Sequence, residues 1–221
     1  MSTADPTLND IIIKFELQVG DTTELSSQEE TDLANDKYHD ICNQRPWEFL
    51  KKNVSGALTL DPVTKLYYIA IPADFSLFVE NNEYTDNTLP INNNAAPKVI
   101  FVGANYKPFQ IVNYSDRLKY RTQSGVCYAD MNANKIYFPV APDDTSFYTF
   151  DYIMVPPDMA LLADKPLIPA RFRKMIWFAM AVDDEILQRN TSANSQAVNN
   201  QAKYQSTLDD MNWWNDNLNL N

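Results

Sequence analysis

Glycine is scarce in this chain: four in 221 residues, at positions 20, 56, 103 and 125, each isolated. A loop that cradles phosphates with backbone amides needs glycines close together, so neither a P-loop nor a dinucleotide-binding fingerprint can be assembled. Histidine is scarcer still, with His39 alone, and the two cysteines, Cys42 and Cys127, stand far apart. That spacing supplies no zinc ligand set. Cys42 has only His39 as a base, and the bland reading, a surface or interface histidine and two buried free thiols, is preferred to catalysis or a disulfide. Long apolar runs are missing too. None approaches the ~18 residues of a membrane span, and the start, MSTADPTLND, shows neither the basic nor the apolar stretch of a signal peptide. Positive charge is in deficit, 18 Lys and Arg against 29 Asp and Glu, for a net charge of −11. Phosphate recognition needs a basic footprint, so free nucleic-acid binding is excluded as a main role.

Acidic residues are plentiful, and three adjacent pairs occur: Asp143-Asp144, Asp183-Asp184 and Asp209-Asp210. Neighbours in sequence point different ways, so none is by itself a general acid/base pair, and the pairs are expected as solvated or interface charges. No catalytic, cofactor-binding or metal-binding residue is assigned. The chain is expected not to be an enzyme.

What the sequence has in quantity is apolar patterning. In PLIPARFRKMIWFAMAVDDEILQRN, from Pro166 to Asn190, the prolines mark a helix start. Phe172, Met175, Ile176, Ala179, Val182, Ile186 and Leu187 then follow helical spacing. Trp177, Phe178 and Met180 make the middle apolar nearly all round, which predicts a central helix buried on several sides. Its basic residues, Arg171, Arg173 and Lys174, precede its acidic ones, Asp183, Asp184 and Glu185. That order opposes the helix dipole, so these charges are expected to answer neighbouring elements or subunits.

Thr7 with Asp10 reads as a capping box. Leu8, Ile11, Ile12, Phe15 and Val19 fit a helix after it, while Ile11, Ile13, Phe15, Leu17 and Val19 fit a strand equally well. The cap favours the helix. Ser26 with Glu29, or Ser27 with Glu30, opens a second helix with Leu33, Ala34, Tyr38, Ile41 and Cys42 on its face, stopping before Pro46. Trp47 and Phe49 in RPWEFL are expected to anchor the following turn. From Gly56 to Val155 short apolar runs alternate with Asn, Asp and Pro clusters, the longest being Asn81–Asn94. They predict an antiparallel sandwich or barrel with a short helix near Ser115–Tyr120. A last helix is expected from about Ala193 to Trp214. The fold class is therefore α+β: a helical bundle, 1–55 with 156–214, carrying a β-rich insertion, 56–155, and ending in an arm, 215–221.

The order of these parts resembles the head-to-tail adaptor (connector) proteins of tailed phages, most of all those of short-tailed phages. The resemblance rests on Asp40–Leu50 (DICNQRPWEFL), on the step Ile71-Pro72-Ala73-Asp74-Phe75, on Lys135–Asp143 (KIYFPVAPD) with its proline-x-proline turn, on Phe150–Asp158 (FDYIMVPPD), and on Leu167-Ile168-Pro169 before the core helix. It covers most of the chain. The long Asn-rich loop and the polar, Trp-containing tail depart from the family. The resemblance implies a virion protein, assembled in the host cytoplasm into a ring matched to the twelve-fold portal. The ring extends the DNA channel toward tail or nozzle proteins, with double-stranded DNA passing without specific binding, no cofactor and no membrane. It also points the tail, rich in Asn but carrying Trp213, Trp214, Leu218 and Leu220, at the portal as an arm that orders on binding. Arg171, Arg173 and Lys174 against Asp183, Asp184 and Glu185 are expected to set the register between subunits. The like charge of a ring, on the order of a hundred negative charges, suits a channel that repels phosphate. Two other classes remain beside it. One is a carbohydrate- or peptide-binding β-module using Tyr67, Tyr68, Tyr128, Tyr137 and Tyr148; the other is a tail-associated cell-wall hydrolase.

Overall fold

The computed structural model describes residues 5–19, 25–80, 97–189 and 195–218. The chain divides into two units, Met1–Leu50 with Pro156–Asn221, and Lys51–Val155. The first is helical and the second is a sheet, so the class is α+β. The Asn81–Asn94 loop lies outside the described residues.

In the helical unit, α1 (Leu8–Val19) buries Leu8, Ile11, Ile12, Phe15 and Val19 and exposes Ile13 and Leu17. The helical period therefore wins over the alternating one. The Thr7 amide donates to the Asp10 carboxylate at 2.9 Å and the Asp10 amide to the Thr7 hydroxyl at 3.3 Å, closing the cap. The capping box at Ser26 and Glu29 opens α2 (Ser27–Asn43), whose buried face is Ala34, Tyr38, Ile41 and Cys42 together with Glu30. Leu33 is only half-buried. After a 3-10 turn at Ala170–Phe172, α3 (Lys174–Arg189) packs against α1, α2 and α4 (Ser195–Asn217), which makes it the central helix of this unit. Met175, Ile176, Met180 and Ala181 are buried in it.

Among the described residues the sheet unit has nine strands: β1 (Lys51–Gly56), β2 (Thr59–Leu60), β3 (Tyr67–Ala70), β4 (Phe75–Phe78), β5 (Val99–Val102), β6 (Lys107–Val112), β7 (Val126–Asp130), β8 (Lys135–Phe138) and β9 (Tyr148–Met154). They form one sheet in the order β1-β9-β5-β6-β7-β8-β3-β2, with β4 also paired to β9. The expected sandwich is not confirmed, and the all-antiparallel pairing is corrected: the strands form a single mixed sheet, because β6 and β7 run parallel. Parallel neighbours need a crossover of about a dozen residues, and residues 113–125 supply it. The short helix expected there is a 3-10 turn, Tyr114–Asp116, followed by further turns. Phe109 and Phe138, 5.2 Å apart edge to face, pack in the core of this unit with Ile100, Val126 and Ile136.

The β-region begins five residues earlier than expected, with β1. Its sequence, KKNVSG, lacks an apolar alternation and is held by its pairing from Lys51↔Ile153 to Gly56↔Tyr148. Asn53 Nδ2 donates to Thr149 Oγ1 at 3.0 Å and to Asp151 Oδ1 at 2.8 Å. An end strand bearing Lys51 and Lys52 is guarded against pairing with other chains.

The β5–β6 turn depends on a structural carboxylate. Gly103 has φ +75°, and a Cβ there would meet the Asp144 Cβ at 2.8 Å. Asp144 accepts from the amides of Ala104 and Ser146, both at 2.9 Å, and from the Ser146 hydroxyl at 2.6 Å. The Ser146 hydroxyl, then those amides, hold its carboxyl at about 2, below the usual 3.8. A depressed pKa contributes stability that is complete above the usual value and is lost as pH falls through the folded one. Asp144→Asn is therefore expected to melt below wild type at neutral pH, with the gap closing between about pH 4 and pH 2. A gap independent of pH in a melting series would show that the charge of Asp144 is not what holds the turn.

Candidate partner-binding surface

The C-terminal end of α4 meets the RPWEFL segment, and the two are tied together by side chains. Arg45 lies over the Trp47 ring, 5.3 Å from its centroid, donates to Asn212 Oδ1 at 3.3 Å and pairs with Asp216. The Glu48 amide donates to Asn215 Oδ1 at 2.9 Å. Trp47 is buried and its indole N–H donates to the Ile41 carbonyl at 2.9 Å, in the last turn of α2. On the other side, Trp214 packs on Phe172 with centroids 5.6 Å apart, under the Arg171 guanidinium at 5.0 Å.

The expected arm from 215 thus begins inside a helix that runs through Asn217, with Asn215 buried. Trp214 is half-buried against its own unit. Trp213 is 70% exposed, and Leu218, in the turn after the helix, is also exposed. Leu220 lies outside the described residues. The helix end is therefore a fixed platform that presents one large aromatic to solvent, rather than a tail without structure of its own.

The charges expected to set the register divide differently. Arg173 is buried: its Nε donates to the Ile168 carbonyl at 2.8 Å, and Nη1 donates to the Pro6 carbonyl at 2.9 Å and pairs with Asp5. Asp184 is buried as well. Arg173 serves its own unit, and Asp184 at 4% exposure offers little surface to a neighbour. Arg171 and Lys174 are exposed, and Asp183 pairs with Lys37. The side chain of Glu185 lies outside the described residues.

The remaining candidates are structural. His39 Nε2 meets Asp158 Oδ1 at 2.7 Å at a partly exposed position. Cys42 and Cys127 are buried and free, and burial pushes the Cys42 thiol up to about 12. Asp143 pairs with Lys107 at 3.1 Å, and Asp209 accepts from Gln205 at 2.9 Å. Of the tyrosines considered for a binding groove, register brings Tyr128, Tyr137 and Tyr68 into one row across β7, β8 and β3, 5.7 and 6.0 Å apart. Tyr114 extends it, 5.8 Å from Tyr128. The two outer rings lie under cations, Arg117 over Tyr114 at 3.9 Å and Lys135 over Tyr68 at 4.1 Å, while Tyr137 is buried. Covered rings pack the sheet rather than offer flat faces to a sugar. Tyr148 stands apart, stacked on Phe150 at 6.2 Å.

Sequence reasoning missed the role of Arg45, whose guanidinium joins the RPWEFL turn to α4, and offered Glu30 only as a capping partner, whereas it lies on the buried face of α2. The first had a signal, since it adjoins Pro46 and Trp47; its partners lie some 170 positions away and leave none. Among the described residues, no helix is long and apolar enough to cross a membrane. Comparison with protein-family models and with curated proteins gives no match.

Proposed function

We propose that this chain is a structural protein of a tailed-phage virion, a head-to-tail adaptor whose copies form a twelve-fold ring on the portal and extend the DNA channel toward the tail. The ordered motifs that resemble the adaptor family support the reading. The observation that carries it is Trp213: a tryptophan mostly exposed on a helix end that its own unit holds in place. Tryptophan is the residue type most enriched where partner surfaces bind tightly, and in this reading Trp213, with Leu218 beside it, seats on the portal. Arg171 and Lys174 lie on the same unit and are free of ion pairs among the described residues.

Net charge sets the conditions of assembly. At −11 per chain, copies repel until a template supplies compensating contacts. The isolated chain is expected to sediment as a monomer or weak oligomer at low salt and to close into a ring when portal is added. Electron microscopy of the mixture tests the reading. A closed ring of the chain alone at low salt sinks the templating, and the absence of any ring on portal sinks the adaptor reading itself.

A further inference from the structure

We infer that neighbouring copies join by the 113–125 crossover of one entering a cleft in the helical unit of the next, with Leu118 against its apolar wall and Arg117 and Lys119 answering Glu30. The inference rests on the ring reading above and names the patches that such a ring would bring together.

The cleft lies among α1, α2 and residues 158–162 and has a volume of about 660 Å³. Ile12, Ile13, Met159 and Leu162 give it an apolar wall, and Glu16, Glu30, Asp32 and Asp158 make its lining acidic. Glu30 is 5% exposed, and among the described residues its carboxylate has no hydrogen-bond or ion-pair partner. Burial, then the like charges of Glu16 and Asp184, raise its pKa. The carboxylate oxygens are not sealed from solvent, so an incoming cation can reach them and form a charge-assisted hydrogen bond. Among the described residues no three His, Cys, Asp or Glu side chains are placed to hold a metal ion, so a side-chain cation suits the site better. Ile13 is 43% exposed, which leaves apolar surface open beside the acid.

The crossover has the opposite chemistry. Arg117, Lys119 and Arg121 occupy alternate positions, and none is in an ion pair among the described residues. Elsewhere in the sheet unit Lys51, Lys52, Lys107 and Lys135 pair with aspartates, whereas these three side chains stand together on one segment. Leu118, between two of these cations, is 69% exposed. The loop is held in shape, since Arg117 donates to the Tyr114 carbonyl at 2.9 Å and stacks on its ring, and Lys119 lies over Tyr120 at 4.9 Å. Preorganised cations around an exposed leucine match an apolar wall beside a group of acids. Because the two patches differ, the contact can repeat head to tail, as the ring reading requires. Opposite charge selects the register.

Cysteine cross-linking tests it. Full-length Leu118→Cys and Ile13→Cys chains, both changed at exposed positions, are mixed under mild oxidation with and without portal; the native cysteines are buried. The expected result is a mixed disulfide at least tenfold above that of either chain alone. It is lost when Arg117→Glu and Lys119→Glu are added to the first chain and regained when Glu16→Lys and Asp32→Lys are added to the second. No adduct in any mixture overturns the contact. If wild-type rings form on portal in that same series, the adaptor reading stands without it; if the adduct forms but rings do not, the ring reading alone fails. Cross-linking of Ile13→Cys to portal in place of Leu118→Cys overturns the inference. So does cross-linking indifferent to the charge reversal while duplex-DNA binding is lost, which assigns the loop to nucleic acid.

Discussion

Trp47→Ala is expected to cost the helical unit about 3–5 kcal/mol, the range for emptying a buried tryptophan site. The side chain is fully buried, stacks on Phe49 with centroids 5.8 Å apart, and its indole N–H donates to the Ile41 carbonyl at 2.9 Å, beside the longer bond from the Gln44 amide. The loss extends further, because the ring also supports Arg45, whose bonds to Asn212 and Asp216 hold the end of α4. Trp47→Phe keeps much of the volume and forfeits the N–H bond, so about 1 kcal/mol of the cost belongs to that bond. Thermal unfolding followed by the helical signal is the measurement. A variant with an unchanged midpoint shows that Trp47 anchors nothing.

Trp213→Ala is expected to leave the melting temperature where it is and to weaken portal attachment by about thirtyfold or more, the ~2 kcal/mol of a hot-spot residue. Trp214→Ala should do the reverse in kind, lowering the midpoint through its packing on Phe172. The pair of point changes separates docking from folding, which a deletion of Asn212–Asn221 does not. That deletion also removes Asn215 from the Glu48 amide and Asp216 from Arg45, so the shortened chain is expected to melt lower. Portal binding by Trp213→Ala equal to wild type, measured on immobilised portal, ends the docking role proposed for this helix end.

The helical unit was largely legible because its signals are local. The Thr7 and Ser26 caps lie within one turn of the helices they open, and the period of α1 follows from five apolar side chains all turned inward. The sheet was legible as strands but not as a sheet. Nothing in PFQIV or GVCYADM encodes that the two run parallel, since that depends on where a polar crossover sends the chain. The polar strand KKNVSG carries no alternation because it is an edge whose order comes from β9. At the candidate surface, composition flagged Trp213 and Trp214 together, yet one is exposed and the other rests on Phe172; neighbours on a helix differ by about 100° in direction, and which one faces inward is fixed by α3 and its preceding turn. Glu30 was legible only as a possible capping partner of Ser27, because an acid on an apolar face has no sequence signature beyond its spacing from Ala34.

The discontinuity of the helical unit also has a temporal side. α1 and α2 leave the ribosome before Lys51, whereas α3, which they pack against, follows Pro156. About a hundred residues of sheet are made in between, which at ~5–20 residues per second is a wait of several seconds or longer. Through that interval Leu8, Ile11, Phe15, Ala34 and Tyr38 have no α3 to cover them. The insert, by contrast, can close before the next helix is translated, because its entering and leaving strands, β1 and β9, pair with each other. Nascent chains halted once Val155 has cleared the ribosome, with α3 still inside it, should therefore carry a folded sheet and two helices still open to chaperones.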